Sequence, residues 1–224
     1  MNTDIPMFPL GTSYLPGDIV VLNVFEPRYR ALVQHVMETD KLFGTVLIEQ
    51  GSEVGGNDRR FSHGVLVLLQ TAVEVDGIIR VAGTATNIIS VDQWLDDDPY
   101  PRAEFSIQLA DELEATQCHS VASTLSLTAQ QLRSLFEKYR AMNSPVNLDA
   151  RRLSILGSLA GGRWWDDNVS TAELWRSFWF LASLVPCGVI DRYELLADGP
   201  LTDRLIRLRR TIEHVDEMLE FRLQ

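Results

Sequence analysis

In the first 110 residues apolar positions come in short runs or at every second place, and both patterns predict strands. Ile19 to Val24 is apolar and largely β-branched and follows the turn-forming Pro16-Gly17-Asp18, which predicts a buried strand. A helix is predicted next, because Pro27 suits the first helical position and Glu26 can sit in the positive field of the helix start. Tyr29, Leu32, Val33 and Val36 then fall at helical spacing up to about Thr39. Leu42 to Ile48 reads as an interior strand and the glycine- and charge-rich Gly51 to Arg60 as a loop. Val65 to Val75 and Ile78 to Val91 read as long strands joined at Asp76-Gly77, a hairpin signal since glycine accepts positive φ. Gly83 inside the second of these predicts a bulge or bend in a curled sheet. Arg102 to Leu109 alternates Ala103, Phe105, Ile107 and Leu109 with polar residues and predicts a further strand.

From about Asp111 the period changes from two to about 3.6. Leu132, Leu135, Phe136 and Tyr139 share one face of a helix predicted over Leu127 to Tyr139, with Thr128 and Gln131 as its capping box and Asn143-Ser144-Pro145 as its end. Ser170 and Glu173 form a second box, opening a helix through Trp175, Phe178, Trp179 and Leu184 that stops before Pro186. Asp191 and Glu194 repeat the signature for a short helix. After Gly199-Pro200, the residues Leu201, Leu205, Leu208, Ile212, Val215 and Leu219 make a helical packing seam. Strands first and helices second predict an α+β protein with a β-rich part at residues 1–110 and a helical part at 111–224.

Composition narrows the function. Of 224 residues 46% are hydrophobic and 23% charged, which is globular composition. The net charge is -11, and residues 1–110 carry 7 basic side chains against 15 acidic ones. Such a field repels phosphate backbones and anionic lipid headgroups, so DNA, RNA and membrane surfaces are not expected partners. No apolar run reaches the roughly 18 to 20 residues that span a bilayer, and the Met1-Asn2-Thr3-Asp4 start has no signal-peptide character, so the expectation is cytoplasmic. Cys118 and Cys187 form no Cys-x-x-Cys pair and read as buried thiols, without a disulfide or zinc knuckle.

Catalytic chemistry finds no foothold. A P-loop needs a lysine after glycine to reach the phosphates, and the two lysines, Lys41 and Lys138, each follow an acidic residue in surroundings that also disfavour a Ser-Lys dyad. Gly157-Ser158-Leu159-Ala160-Gly161 puts serine directly after glycine, the wrong spacing for a nucleophile elbow, and reads as a helix end. His35, His63, His119 and His214 contain no i,i+3 or i,i+4 metal pair, and Cys118-His119 are neighbours that point apart. Asp92, Asp96, Asp97 and Asp98 lack the alternate spacing and central glycine of a calcium loop and read as a solvated loop. The expectation is therefore no catalytic residue, no metal and no cofactor.

The strings Phe8-Pro9-Leu10-Gly11, Leu15-Pro16-Gly17 and Val24-Phe25-Glu26-Pro27-Arg28-Tyr29 resemble, in order and spacing, the opening of the Lon protease N-terminal, or substrate-binding, domain. Phe43-Gly44-Thr45-Val46-Leu47-Ile48 and Gly51-Ser52-Glu53-Val54-Gly55-Gly56 are similar to that family's next strand and glycine-acid loop. Asp191-Arg192-Tyr193-Glu194-Leu195-Leu196 through Asp203-Arg204-Leu205 is similar to its closing helices, so the resemblance covers most of the chain. It implies a PUA-like β pseudo-barrel followed by a C-terminal helical bundle. It also implies a stand-alone, non-catalytic role in holding polypeptides, and the expectation is a module that engages unfolded or flexible polypeptides or a dedicated protein partner, or adapts them to a separate protease. A small-molecule or RNA binder using the same PUA-like fold is the alternative, against which the charge counts. The sequence departs from the family at Gly83-Thr84-Ala85-Thr86-Asn87, where an Arg-Phe pair commonly follows the glycine. It departs again at His63-Gly64, where valine-glycine is usual, and at Gly162 to Asp167, which has no family counterpart.

Two groups are candidate protein-binding residues. Glu26, Arg28 and Tyr29 match the charged stretch where Lon-type domains are thought to meet substrates; the competing role is a local ion pair beside a core tyrosine. Trp164 and Trp165, with Trp175 and Trp179, place four of five tryptophans within sixteen residues, and an exposed cluster could grip apolar segments. Trp175 and Trp179, four apart on a helix, fit a core role.

Overall fold

The computed structural model describes residues 4–53, 58–142, 148–162, 165 and 169–221. Its strands are β1 (Asp4–Pro6), β2 (Ile19–Val24), β3 (Leu42–Gln50), β4 (Arg59–Val75), β5 (Ile78–Trp94) and β6 (Arg102–Ile107). Its helices are α1 (Pro27–Glu38), α2 (Ala115–Ala141), α3 (Ala150–Ala160), α4 (Thr171–Leu184), α5 (Val189–Glu194) and α6 (Leu201–Phe221). The chain divides into two compact units: Met1–Leu109 with Arg192–Asp198, and Ala110–Asp191 with Gly199–Gln224.

The first unit is built on an antiparallel sheet in the order β1-β6-β5-β4-β3, with β2 added to β5. The N-terminal segment closes this sheet on itself. Asp4 to Pro6 pair with β6, and directly after them on the same chain Met7 and Leu10 bridge β3 at Gly44 and Leu47. Phe8 N–H donates to Gly44 O at 2.8 Å, Leu10 N–H to Val46 O at 2.9 Å, and Ile48 N–H to Leu10 O at 2.8 Å. The result is a small pseudo-barrel filled by Ile5, Met7, Val46, Leu66, Ile89 and Ala103, with Trp94 and Phe105 packed against them. Gly44 has no side chain because Met7 Sδ occupies the place a Cβ would take. Arg192 Nε, from the segment that rejoins this unit late in the chain, donates to Ser13 O at 2.9 Å and its Nη2 to Asp18 Oδ2 at 2.5 Å.

Asp76 (φ 52°) and Gly77 (φ 79°) form the predicted two-residue turn between β4 and β5, both in the left-handed region that a type I′ hairpin requires. The strands on either side are longer than expected. Arg59 and Arg60, read as loop, belong to β4 and pair with Gln50 and Ile48. A charged residue can sit in this strand because Arg60 is neutralised where it lies, as described below. The bulge expected at Gly83 falls on the partner strand: β4 carries an extra residue between Leu69 and Thr71, opposite Gly83 and Ala82. Gly83 itself is required by close approach, since a Cβ there would come within 2.7 Å of Leu68 O.

The second unit is helical. Helix α2 begins at Ala115, twelve residues before the predicted start, and its capping box is Glu114 with Gln117. Thr128 lies in mid-helix, fully buried, with its hydroxyl donating to Thr124 O at 2.8 Å. The predicted helix end at Asn143-Ser144-Pro145 lies outside the described residues. The Ser170–Glu173 box is present in both directions: Ser170 Oγ accepts from Glu173 N–H at 3.3 Å and Ser170 N–H donates to Glu173 Oε2 at 2.9 Å. These bonds from Ser170 hold the Glu173 carboxyl below the usual carboxylate range. Helix α5 starts at Val189 and not after Asp191, because Asp191 Oδ2 reaches back to accept the Gly188 N–H at 3.2 Å. The predicted seam of α6 is buried at all six positions from Leu201 to Leu219. Lys138 Nζ ties α2 to α6 through Asp216 at 2.6 Å and Glu220 at 2.7 Å. Helix α3 ends at Gly161, so the serine of the Gly157–Gly161 string lies inside its last turn. Cys118 is buried as expected, whereas Cys187 is only half-buried.

A Cβ at Gly64 would overlap the Thr45 carbonyl oxygen, a backbone atom that cannot step aside without breaking the β3–β4 ladder. Gly64→Ala is expected to lower unfolding free energy by about 3 kcal/mol and Gly83→Ala by about 1–2 kcal/mol, as overpacking a closed sheet does. Urea denaturation of the two variants checks both the size and the order.

Candidate functional site

In an antiparallel pair, residues directly opposite one another point to the same side of the sheet. The register therefore defines one face over β2, β5 and the outer half of β4. Ile19 stands opposite Thr84 and Thr84 opposite Leu68; Val21 opposite Ala82 and Ala82 opposite Thr71; Asn23 opposite Arg80 and Arg80 opposite Val73; Ile78 opposite Val75. The other face of the same strands is core: Val20, Leu22, Val24 and Val81 are buried. On the outward face Ile19 is 62% exposed, Val21 61% and Val73 57%, and Leu68, Val75 and Ile78 are also exposed. Phe25 follows β2 directly and is exposed too. Isolated apolar residues on a surface are ordinary, but a contiguous group on one sheet face marks an interaction surface. Arg80 is the only charged side chain in these rows, and it forms no ion pair among the described residues.

The sequence pattern of β2 predicts burial on both sides, and the structure corrects this to burial on one. A continuous apolar run reads alike whether a strand is covered on both faces or keeps an apolar face toward solvent, so only the pairing could separate the two.

The residues singled out at the start of α1 are together in space but do different work. Tyr29 is 3% exposed, its ring stacked on Phe8 at 4.0 Å between centroids and 12° between planes. Burial pushes its phenol up to about 12, with the nearby Arg28 pulling the other way. The ring is thus core and offers no contact area to a partner. Arg28 lies over the outer face of that ring at 4.4 Å, donates through Nε to Glu26 Oε2 at 3.2 Å and through Nη2 to Glu53 O at 3.1 Å. Glu53 in turn accepts the Gly11 N–H at 2.5 Å. Glu26 and Arg28 remain partly exposed at the end of β2 beside Phe25.

Trp164 lies outside the described residues. Trp165 is half-buried and is engaged with neighbouring groups. Trp175 and Trp179 stack at 5.9 Å and both pack against Phe178, with the buried Arg204 over their rings at 5.6 and 5.7 Å. These rings are framework, as their helical spacing suggested.

The acidic loop is not simply solvated. Arg60 donates from Nε to Asp58 and from Nη2 to Asp97, each at 2.6 Å, and its guanidinium lies over Trp94 at 4.5 Å. The Arg60 and Asp58 side chains are only 8% and 2% exposed. Burial alone would raise the Asp58 carboxyl, but the hydrogen bonds from Arg60 outweigh it and hold the group below its ordinary range. No group of three His, Cys, Asp or Glu that could hold a metal occurs among the described residues, and no described helix is long and apolar enough to cross a membrane.

A closed antiparallel sheet followed by a helical unit, with an outward apolar sheet face, defines an α+β protein. The chain belongs to the ATP-dependent protease La (Lon) substrate-binding domain family, whose model matches residues 4–214. Among solved structures, it is similar to a Lon N-terminal domain protein from Xanthomonas campestris, at 25% identity and a TM-score of 0.59, over 92% of this chain and 96% of that one. It also shares its fold with the N-terminal domain of Mycobacterium avium complex Lon protease, at 13% identity and a TM-score of 0.63, over 94% and 98% of the two chains. None of the curated proteins matches the chain. Membership makes it a substrate-binding module related to proteolysis.

Two outcomes follow from these contacts. The Tyr29 phenol keeps its proton in the folded chain after an unfolded tyrosine has lost it, so stability is full below pH 10 and falls as pH rises from 10 to about 12. Urea titrations across that range should show the fall, and Tyr29→Phe should lessen it, the remainder coming from Tyr14, Tyr100 and Tyr193, whose phenols burial also raises. Arg60→Ala leaves the Asp58 carboxylate buried without its cation and is expected to cost about 3–5 kcal/mol. The Arg60→Ala, Asp58→Ala double variant should recover part of the loss in the same denaturation experiment, because no orphan charge remains.

Proposed function

We propose that this chain is a non-catalytic, cytoplasmic module that captures unfolded or flexible polypeptide segments and presents them to a separate protease. The observation that carries this reading is the outward face of β2, β5 and β4, where Ile19, Val21, Val73, Val75 and Ile78 are left in solvent on an otherwise acidic unit. A folded chain gains by covering such a face, and the apolar side chains that an unfolded polypeptide exposes are the natural cover. Glu26 and Arg28, beside the exposed Phe25, lie at one end of the face, where they can orient an incoming segment by charge. Trp165 and its neighbour Trp164 supply a second contact in the helical unit. Capture of this kind needs no nucleophile, base or metal, in keeping with the chemistry the sequence lacks.

Fluorescence anisotropy of a labelled, permanently unfolded polypeptide, its folded parent and a labelled RNA tests the reading. Only the unfolded chain should bind, with little dependence on salt, whereas RNA contact would weaken steeply as salt rises. The Val21→Asp, Val73→Asp variant should bind at least about tenfold more weakly, since contact now desolvates charge. Its unfolding midpoint should be nearly unchanged, because both side chains point outward.

A further inference from the structure

Strand β2 hydrogen-bonds to one neighbour. Its six residues pair with β5 from Ile19 opposite Thr84 to Val24 opposite Ile79, without a register shift. Among the described residues, no backbone bond runs from Ile19–Val24 to any segment other than β5. A strand paired on one side alone presents every second N–H and C=O along its free edge.

Exposed edges are ordinarily blunted by charge, proline or a bulge, because they recruit other strands. The three-stranded arm β2-β5-β4 has two edges, and they differ. On the far side, β4 from Thr71 to Val75 follows a bulge and carries Glu74, which pairs with Arg30 of α1 at 2.9 Å. On the near side, Ile19-Val20-Val21-Leu22-Asn23-Val24 has no charged residue, no proline and no bulge. One edge is defended and the other is open.

We propose that β2 receives an extended polypeptide segment as an added strand along this free edge. The segment that fits is apolar at its outward positions and carries an acidic side chain where it passes Asn23. This rests on the polypeptide-binding reading above and specifies its mode and the class of segment bound. Outward side chains of an added strand would continue the rows of Ile19 and Val21, which are apolar, so they extend the same dry surface. In the next row stands Asn23, and directly opposite it on β5 is Arg80, exposed and without an ion pair among the described residues. Asparagine is short and arginine long, so the guanidinium can reach over Asn23 to the row beyond, where a carboxylate would complete a bidentate pair. Main-chain bonds supply tolerance of sequence, and Arg80 supplies the one charge preference.

The test uses the full chain and a short synthetic peptide of alternating valine and threonine with one central glutamate, labelled for anisotropy. A lysine version and two versions N-methylated at one or the other alternate set of backbone amides accompany it. Methylation of the set that faces β2 should weaken binding about tenfold or more, while methylation of the solvent-facing set should leave it intact. The glutamate peptide should bind about two- to fivefold more tightly than the lysine peptide, and Arg80→Glu should reverse that order. Equal binding of both methylated peptides and the parent, with the unfolded polypeptide still captured, would sink strand addition and leave side-chain capture standing. Failure of the peptides and the unfolded polypeptide alike would overturn both readings. Concentration-dependent self-association that blocks the peptide would assign the edge to a second copy of the chain, and overturn the proposal equally.

Discussion

The first unit depends on one closure. A single stretch, Asp4 to Leu10, hydrogen-bonds to β6 at its start and to β3 at its end, joining the two outer strands of the sheet path. An open sheet of this size would leave backbone groups of β3 and β6 facing solvent; closure satisfies them and encloses the Met7–Ile89 core. Gly44 is the local condition for it, since Met7 fills the space where its side chain would be. Phe8, in the middle of the closing segment, stacks on Tyr29 and so brings α1 against the same seam. The tyrosine that looked like a contact residue is therefore part of the fastening.

Closure also explains where interaction surface can remain. Strands inside the barrel have their edges paired and one face turned to the core. The arm formed by the outer halves of β4 and β5 with β2 runs past the closed region, and α1 covers only its inner face. Its outer face keeps apolar residues in water, and the far edge of β2 has no backbone partner among the described residues. A contiguous apolar face left in water costs solubility unless something covers it, which is why the proposed capture is placed here.

Charge is arranged with equal economy. Three half-buried cations are held by named carboxylates: Arg60 by Asp58 and Asp97, Arg192 by Asp18, Lys138 by Asp216 and Glu220. The acidic stretch from Asp96 to Asp98 thereby has a structural use, since Asp97 pairs with Arg60, whose guanidinium lies over Trp94. Arg80 differs from these three cations in being exposed on a sheet face whose other rows are uncharged, with no ion pair among the described residues.

Much of the fold was legible in the sequence because its signals are local. The Asp76-Gly77 turn, Pro27 at the start of α1, the Ser170–Glu173 cap and the heptad-like seam of α6 each act through neighbours a few residues away. The early start of α2 was not legible, because Thr116, Cys118, His119 and Ser120 are weak helix formers held by the burial of Cys118, Val121, Ala122 and Leu125. The exposed apolar face was the least legible of all. Ile19, Val21, Val73 and Ile78 are spread over sixty residues, and their apolar character reads as core until pairing register turns them outward together. Sequence determined which segments are strands and helices, through interactions between near neighbours; tertiary structure alone decided which apolar faces meet water, because that depends on which strand lies beside which.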